Sequence, residues 1–351
     1  MSALFGPLTL RGTEFRNRLW VSPMCQYSAR DGVPQDWHVV HLGGLSRGGF
    51  GLVIAEATAV SPDGRITSAD TGLWDVAQRD AWARIVDFAH QQGSAIGIQL
   101  THAGRKSGIA VPWSADPPDA TWPPLSVTSE AHPGFPTPRE ATAAELAQVV
   151  DDFGRSARLA VEAGFDAVEL QAAHGFLLHG FLSPLTNTRT DRYGGSADAR
   201  ATLLLEVAAR VRHELGERVP LLVRVSSSDW LPGGLDVPDV AHLATRLAAV
   251  GVDLVDVSTG GLLPADVPHA PGYLVGHAAR VRATSATAVG VVGLIADADQ
   301  AEEVVASGAA DVVLVGRAAL RDPQLGLRAA HHLDVADRAA AWAPQIVRGA
   351  W

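Results

Sequence analysis

The chain has 351 residues, 47% hydrophobic and 19% charged, the balance of a folded, enzyme-sized protein and not of a disordered one. A net charge of −10 argues against sequence-independent nucleic-acid binding, and a lone cysteine, Cys25, excludes an intramolecular disulfide framework and a multi-cysteine zinc site. No run reaches the ~18 unbroken apolar residues of a membrane span, and the first residues carry no secretory pattern, so a cytoplasmic protein is expected.

At about 150 residues per domain the length suggests two domains, but α/β barrels run longer as one. Eight apolar, β-branched runs read as parallel strands buried on both faces: Leu19–Ser22, Leu52–Ala57, Ala95–Leu100, Ala167–Gln171, Leu221–Ser226, Leu254–Ser258, Val289–Val292 and Val312–Val315. Several follow one local pattern, a helix that ends at a glycine and turns into a strand. Gly164, Gly251 and Gly308 are the clearest cases, placed where a helix end needs the left-handed conformation.

Helical segments alternate with the strands. Thr142 and Glu145 have capping-box spacing, and Leu146, Val149, Val150, Phe153, Ala157, Ala160 and Val161 fall on one face behind them. Asp297 opens a later helix through Ala301, Val304 and Val305. Eight strands alternating with helices predict an α/β fold, a (β/α)8 TIM barrel, in preference to a doubly wound sheet. No linker divides the chain, so residues 1–351 are read as a single domain. Residues 112–138 hold eight prolines with Trp113 and Trp122. They read as an ordered excursion after the third strand, part of a capping region over 105–141.

In such barrels chemistry sits at the C-terminal strand ends. Those positions here carry Ser22-Pro23-Met24-Cys25, Glu56-Ala57, Gln99 with His102, Gln171 with His174, Arg224, Ser258, Gly293 and Gly316-Arg317. The last two strands point to a phosphate: glycines free backbone N–H groups and Arg317 adds a forked cation. Neither a G-x-G-x-x-G nor a P-loop pattern is present. His38 and His41 alone make a poor metal site, and no metal is expected.

Together these segments resemble the old yellow enzymes, FMN-dependent ene-reductases on a (β/α)8 barrel. The likeness runs through Ser22 to Tyr27, Glu56 to Val60, Gly97 to Lys106, Ala172 to Gly175, Phe181 to Pro184, Arg189 to Ser196 and Val223 to Ser226. Cys25, Tyr27 and the ending Arg348-Gly349-Ala350-Trp351 look like the thermophilic-like class, with Ala350 as an inserted residue. The resemblance implies FMN held by Ser22, Pro23, Met24, Cys25, Ala57, Gln99, Arg224, Ser258, Gly293, Gly316 and Arg317. It also implies NADPH or NADH as reductant and a ping-pong cycle that reduces the C=C bond of an enone or other activated alkene. His174 and Gln171 would hold the substrate oxygen. Cys25 and Tyr27 would lie beside the reacting centre, and Phe176, Lys106 and Arg348 would line the substrate pocket. In that class the arginine comes from a neighbouring subunit, so a homodimer or homotetramer is expected, with the tail over 340–351 at the interface.

Two positions depart from the family pattern. Gln171 stands where a histidine holds the carbonyl, and Phe176 stands where a tyrosine gives the proton. A glutamine amide still donates. A phenyl ring cannot, and general acid catalysis is typically worth about 10²–10⁴-fold. The proton then comes from water, Tyr27 or another group. Alternatives are a flavin-dependent dehydrogenase or isomerase of a related carbonyl compound, a non-catalytic FMN-binding redox sensor, and a flavin-free aldolase- or isomerase-type barrel. The last lacks a strand lysine for a Schiff base.

Overall fold

The structure, a computed structural model, describes residues 2–115, 122–335 and 342–351. Strands β1 (Leu8–Leu10) and β2 (Thr13–Phe15) form an antiparallel hairpin ahead of the main sheet. Eight parallel strands then close on themselves: β3 (Leu19–Val21), β4 (Leu52–Ala59), β5 (Ala95–Thr101), β8 (Ala167–Ala172), β9 (Leu221–Ser226), β10 (Leu254–Ser258), β11 (Ala288–Val291) and β12 (Val312–Val315), the last pairing with the first. These are the eight predicted strands, and the (β/α)8 barrel is the observed fold. Ser22 and Val292 lie just beyond the strands predicted to contain them.

Each crossover is right for its sequence. The helix α3 (Ala143–Ala163) begins at Thr142, whose hydroxyl accepts from the Glu145 N–H while Glu145 reaches back to Thr142. It ends at Gly164 with φ of 90°. Its predicted apolar face is buried except for Val150, partly buried, and Val161 in the last turn, 38% exposed. There Val161 borders a groove shared with Thr13 and Glu14 of β2 and with Leu215 and Gly216, at the end of the neighbouring helix α6 (Thr202–Leu215). Asp297 caps α9 (Ala298–Ala306) through the Gln300 N–H, as predicted.

Inside the barrel, Leu10 and Phe15 of the hairpin pack with Trp20, Leu52, Ile54, Leu222, Leu254 and Leu314 and seal the end opposite the site. A larger core lies between strands and helices. The segment after β5 is anchored at both ends: Trp122 Nε1 donates to Ser107 Oγ at 2.6 Å, and β6 (Leu125–Ser126) pairs with β7 (Arg139–Glu140). Within the predicted excursion residues 116–121 lie outside the described residues, as do residues 340 and 341 of the predicted tail. Among the described residues no helix is long and apolar enough to cross a membrane.

Candidate active site

Arg224, near the end of β9, is the hub of the barrel's polar end. Its Nη2 donates to Ser22 Oγ at 2.6 Å, and its Nε and Nη2 both reach Asp256 Oδ2 on β10, the former at 2.5 Å. Glu169 Oε1 on β8 stands 3.7 Å from Nε. Burial penalises the Arg224 charge, but Asp256 and then Glu169 more than offset it and hold the guanidinium charged. Burial, with Asp256 nearby, pushes the Glu169 carboxyl up despite Arg224. One oxygen of each acid, Glu169 Oε2 and Asp256 Oδ1, is buried without a hydrogen-bond partner.

Gln99 on β5 donates to Glu169 Oε1 at 2.7 Å and accepts from Gln171 Nε2 at 3.3 Å. The Gln171 side chain is folded back onto its own turn, because its Oε1 accepts from the Ala173 N–H at 3.2 Å. Its amide nitrogen therefore faces Gln99 and His174 Nδ1, each at the long distance of 3.3 Å. His174 has φ of 59°, a left-handed conformation that a non-glycine residue adopts at some cost. Ser226 Oγ accepts from its N–H, and its Nε2 lies 2.7 Å from Ser258 Oγ. Burial, then the charge of Arg224, lowers the His174 pKa well below its ordinary value, so the ring is neutral. Neutral with Nδ1 accepting from Gln171, it places its proton on Nε2 toward Ser258.

Ser22, His174, Arg224 and Ser258 line a cavity of about 340 Å³ together with Gly293, Gly316, Arg317 and Arg321. Gly293 has φ of 132°, and a Cβ there would stand 3.3 Å from the Tyr273 ring. Met24 lies nearby, its sulfur 3.5 Å from a Cβ built on Gly316. Neither Arg317 nor Arg321 has a hydrogen-bond or ion-pair partner among the described residues. Two unpaired guanidiniums beside bare backbone fit a phosphate. Ser22 and Arg224 supply donors to a polar ring edge. The residues present therefore fit FMN: Gly293, Gly316, Arg317 and Arg321 would hold its phosphate, and Ser22 and Arg224 would meet its ring.

The remaining predicted residues are not among those lining this cavity. Ala57 is buried beside a bulge in β4 that turns Glu56 toward the loop, where Glu56 Oε2 accepts from the Gln26 N–H at 2.8 Å. Pro23 and Cys25 are half-buried on that same loop, and burial followed by the charges of Asp70 and Glu56 raises the Cys25 thiol. Tyr27 packs edge-on against Trp113 at 5.6 Å, and burial raises its hydroxyl far above the usual range. Lys106 donates to His174 O at 2.7 Å and to Gly261 O, and lies 5.8 Å from the Phe176 ring centroid. Arg348 sits on an exposed turn and does not line the cavity of its own chain. Trp351 folds back on Trp342, their rings 5.4 Å apart.

Glu169, Asp256 and Arg321 were not anticipated. Each had a signal: an acid inside a strand buried on both faces needs a buried partner, and Arg321 is one helical turn from Arg317.

The chain belongs to the NADH:flavin oxidoreductase / NADH oxidase family, whose pattern matches residues 3–335. It is 44% identical to an NADPH dehydrogenase of Geobacillus thermodenitrificans, over 95% of both chains. Morphinone reductase solved in complex with tetrahydroNAD superposes with a TM-score of 0.80 at 29% identity, covering 97% of this chain and 94% of that one. A 2-naphthoyl-CoA reductase in complex with 2-naphthoyl-CoA shares the fold, with a TM-score of 0.87 at 24% identity. The present chain covers 94% of its own length there and 52% of the reductase. The protein is thus an FMN-dependent NADH or NADPH oxidoreductase of the old yellow enzyme family, acting on a small molecule.

Proposed function

We propose that this enzyme reduces the activated C=C bond of α,β-unsaturated carbonyl compounds. The observation that carries this reading is the cluster of Gln171, His174 and Ser258, of which His174 and Ser258 line the cavity. Bound FMN would supply two electrons from NAD(P)H to the alkene's β-carbon. Arg224 would sit where negative charge gathers on the reduced ring, and Ser22, Pro23, Met24, Ala57 and Gln99 would pack around it.

The Gln171 amide makes only two long bonds, so it is free to exchange one for a substrate oxygen. His174, neutral, would turn its one N–H, on Nε2, from Ser258 to the same oxygen without carrying charge into the pocket. Together they polarise the carbonyl and hold the enolate that follows addition at the β-carbon. Reductant and acceptor would use the one cavity in turn, a ping-pong order. Phe176 and Lys106 would border the substrate, and Arg348 would complete the site from a neighbouring subunit of a homodimer or homotetramer. The unpaired Cys25 is in keeping with a cytoplasmic enzyme.

The test is anaerobic. The protein is reduced with NADPH and mixed with 2-cyclohexenone or a maleimide, and flavin absorbance is followed. Reoxidation by the alkene supports the reading; reoxidation by dioxygen alone overturns it.

A further inference from the structure

Reducing a C=C bond needs a proton at the α-carbon, and position 176 holds a phenyl ring in place of a hydroxyl. Cys25, Tyr27 and Lys106 carry X–H groups on loops that follow barrel strands. Burial, with acidic neighbours, holds Cys25 and Tyr27 strongly protonated, and Tyr27 is committed to the Cys25 and Trp113 side of the mouth. Lys106 is different in place. It projects from the turn Gly104–Lys106 after β5, and its ammonium bridges two carbonyls, His174 O and Gly261 O. The backbones it joins are in close contact: a Cβ on Gly175 would stand 2.4 Å from Gly261 O. An ammonium has three N–H bonds, and these two carbonyls take two. Its nitrogen stands 5.8 Å from the centre of the Phe176 ring.

We propose that Lys106 is the proton donor to the substrate's α-carbon, in the place left by the missing tyrosine hydroxyl at 176. The inference rests on the ene-reductase reading above. Once the β-carbon is reduced, the Lys106 N–H bond breaks and the α-carbon C–H bond forms. The enolate oxygen held by Gln171 and His174 becomes a carbonyl again, and the neutral amine regains a proton from water. Every electron comes from NAD(P)H, and Lys106 moves only a proton. Its surroundings suit the task. Burial and the neighbouring Arg105 charge bring its pKa from 10.5 down to about 8, close to working pH. The other titratable groups facing it are His174, neutral through burial, and His132, whose pKa burial and then Lys106 itself lower.

A lysine that only clips two carbonyls is the competing role, and Lys106→Arg separates the two. Arginine keeps the N–H donors and the charge but does not give up a proton near neutral pH. In stopped-flow reoxidation of the NADPH-reduced holoenzyme by 2-cyclohexenone, K106R is expected to be slower by about 10²-fold or more. The wild-type rate falls as pH rises through about 8. Adding Phe176→Tyr to K106R restores the rate. Lys106 is the only lysine of the chain, so a ¹⁵N spectrum of the lysine-labelled protein, read without turnover, shows a single Nζ titrating near 8 that K106R lacks. K106R reoxidised at the wild-type rate, a slow K106R that Phe176→Tyr leaves slow, or a Lys106 titrating at the ordinary lysine value each overturns the proposal. A wild-type protein that no alkene reoxidises overturns the ene-reductase reading with it, so the two failures are told apart.

Discussion

His174 Nε2 stands 2.7 Å from Ser258 Oγ, tying the turn after β8 to the last residue of β10. With its backbone N–H held by Ser226 and Nδ1 by Gln171, His174 has three ties, two of them on the ring. A ring pre-oriented in this way loses little freedom when a substrate oxygen arrives.

Ser258→Ala removes one of those three ties. A net hydrogen bond is worth about 1 kcal/mol, so KM for an enone is expected to rise about fivefold with the fold intact. Steady-state kinetics checks this; an unchanged KM would show that the serine does not orient the ring.

Arg224→Met leaves Asp256 and Glu169 buried against no cation. Breaking a buried pair from one side costs about 3–5 kcal/mol. A melting temperature lower by about 5–10 °C is expected in a thermal scan, together with poor FMN retention. Asp256→Asn in the same chain recovers part of the stability, because it removes the orphaned charge.

Phe176→Tyr in the otherwise unaltered protein adds a donor that stays protonated above pH 8. Reoxidation by cyclohexenone is expected to become faster at pH 9 by about tenfold or more, and to lose its fall across pH 8. Stopped-flow rates at pH 7 and 9 read this directly.

His41, on α1 (Asp36–Ser46), has its pKa lowered from 6.5 to about 4 by burial, then by His38. Between those values the unfolded chain binds a proton that the folded one refuses. The stability from this group is present above pH 6.5 and lost as pH falls toward 4. His41→Gln should therefore flatten the decline of melting temperature over that interval, measured by calorimetry.

The barrel was legible because buried parallel strands read as unbroken apolar runs and helix ends as glycines. Gly164 and Thr142 mark one helix at both ends, and the structure uses both as marked. The cavity was legible in outline, since Ser22, His174, Arg224, Ser258, Gly293, Gly316 and Arg317 all line it. What the pattern could not convey was how these residues bind one another. Gln171 reads as an amide that donates to the substrate oxygen, yet its own oxygen is turned back to the Ala173 N–H. Lys106 reads as a residue of the substrate pocket, but its partners, the carbonyls of His174 and Gly261, come from turns 68 and 155 residues away and leave no mark in the local sequence. Glu169 and Asp256 were hidden by strands whose neighbours are uniformly apolar, although a buried acid always implies a cation or a proton.

The most direct test of ene-reduction follows the label. The protein is turned over anaerobically with 2-cyclohexenone and NADPH carrying deuterium at either face of the nicotinamide C4, and the product is analysed by mass spectrometry. The account predicts saturated cyclohexanone with one deuterium at the β-carbon from one of the two labelled cofactors. NADPH consumption without saturated product, or a saturated product with deuterium from neither cofactor, would contradict it.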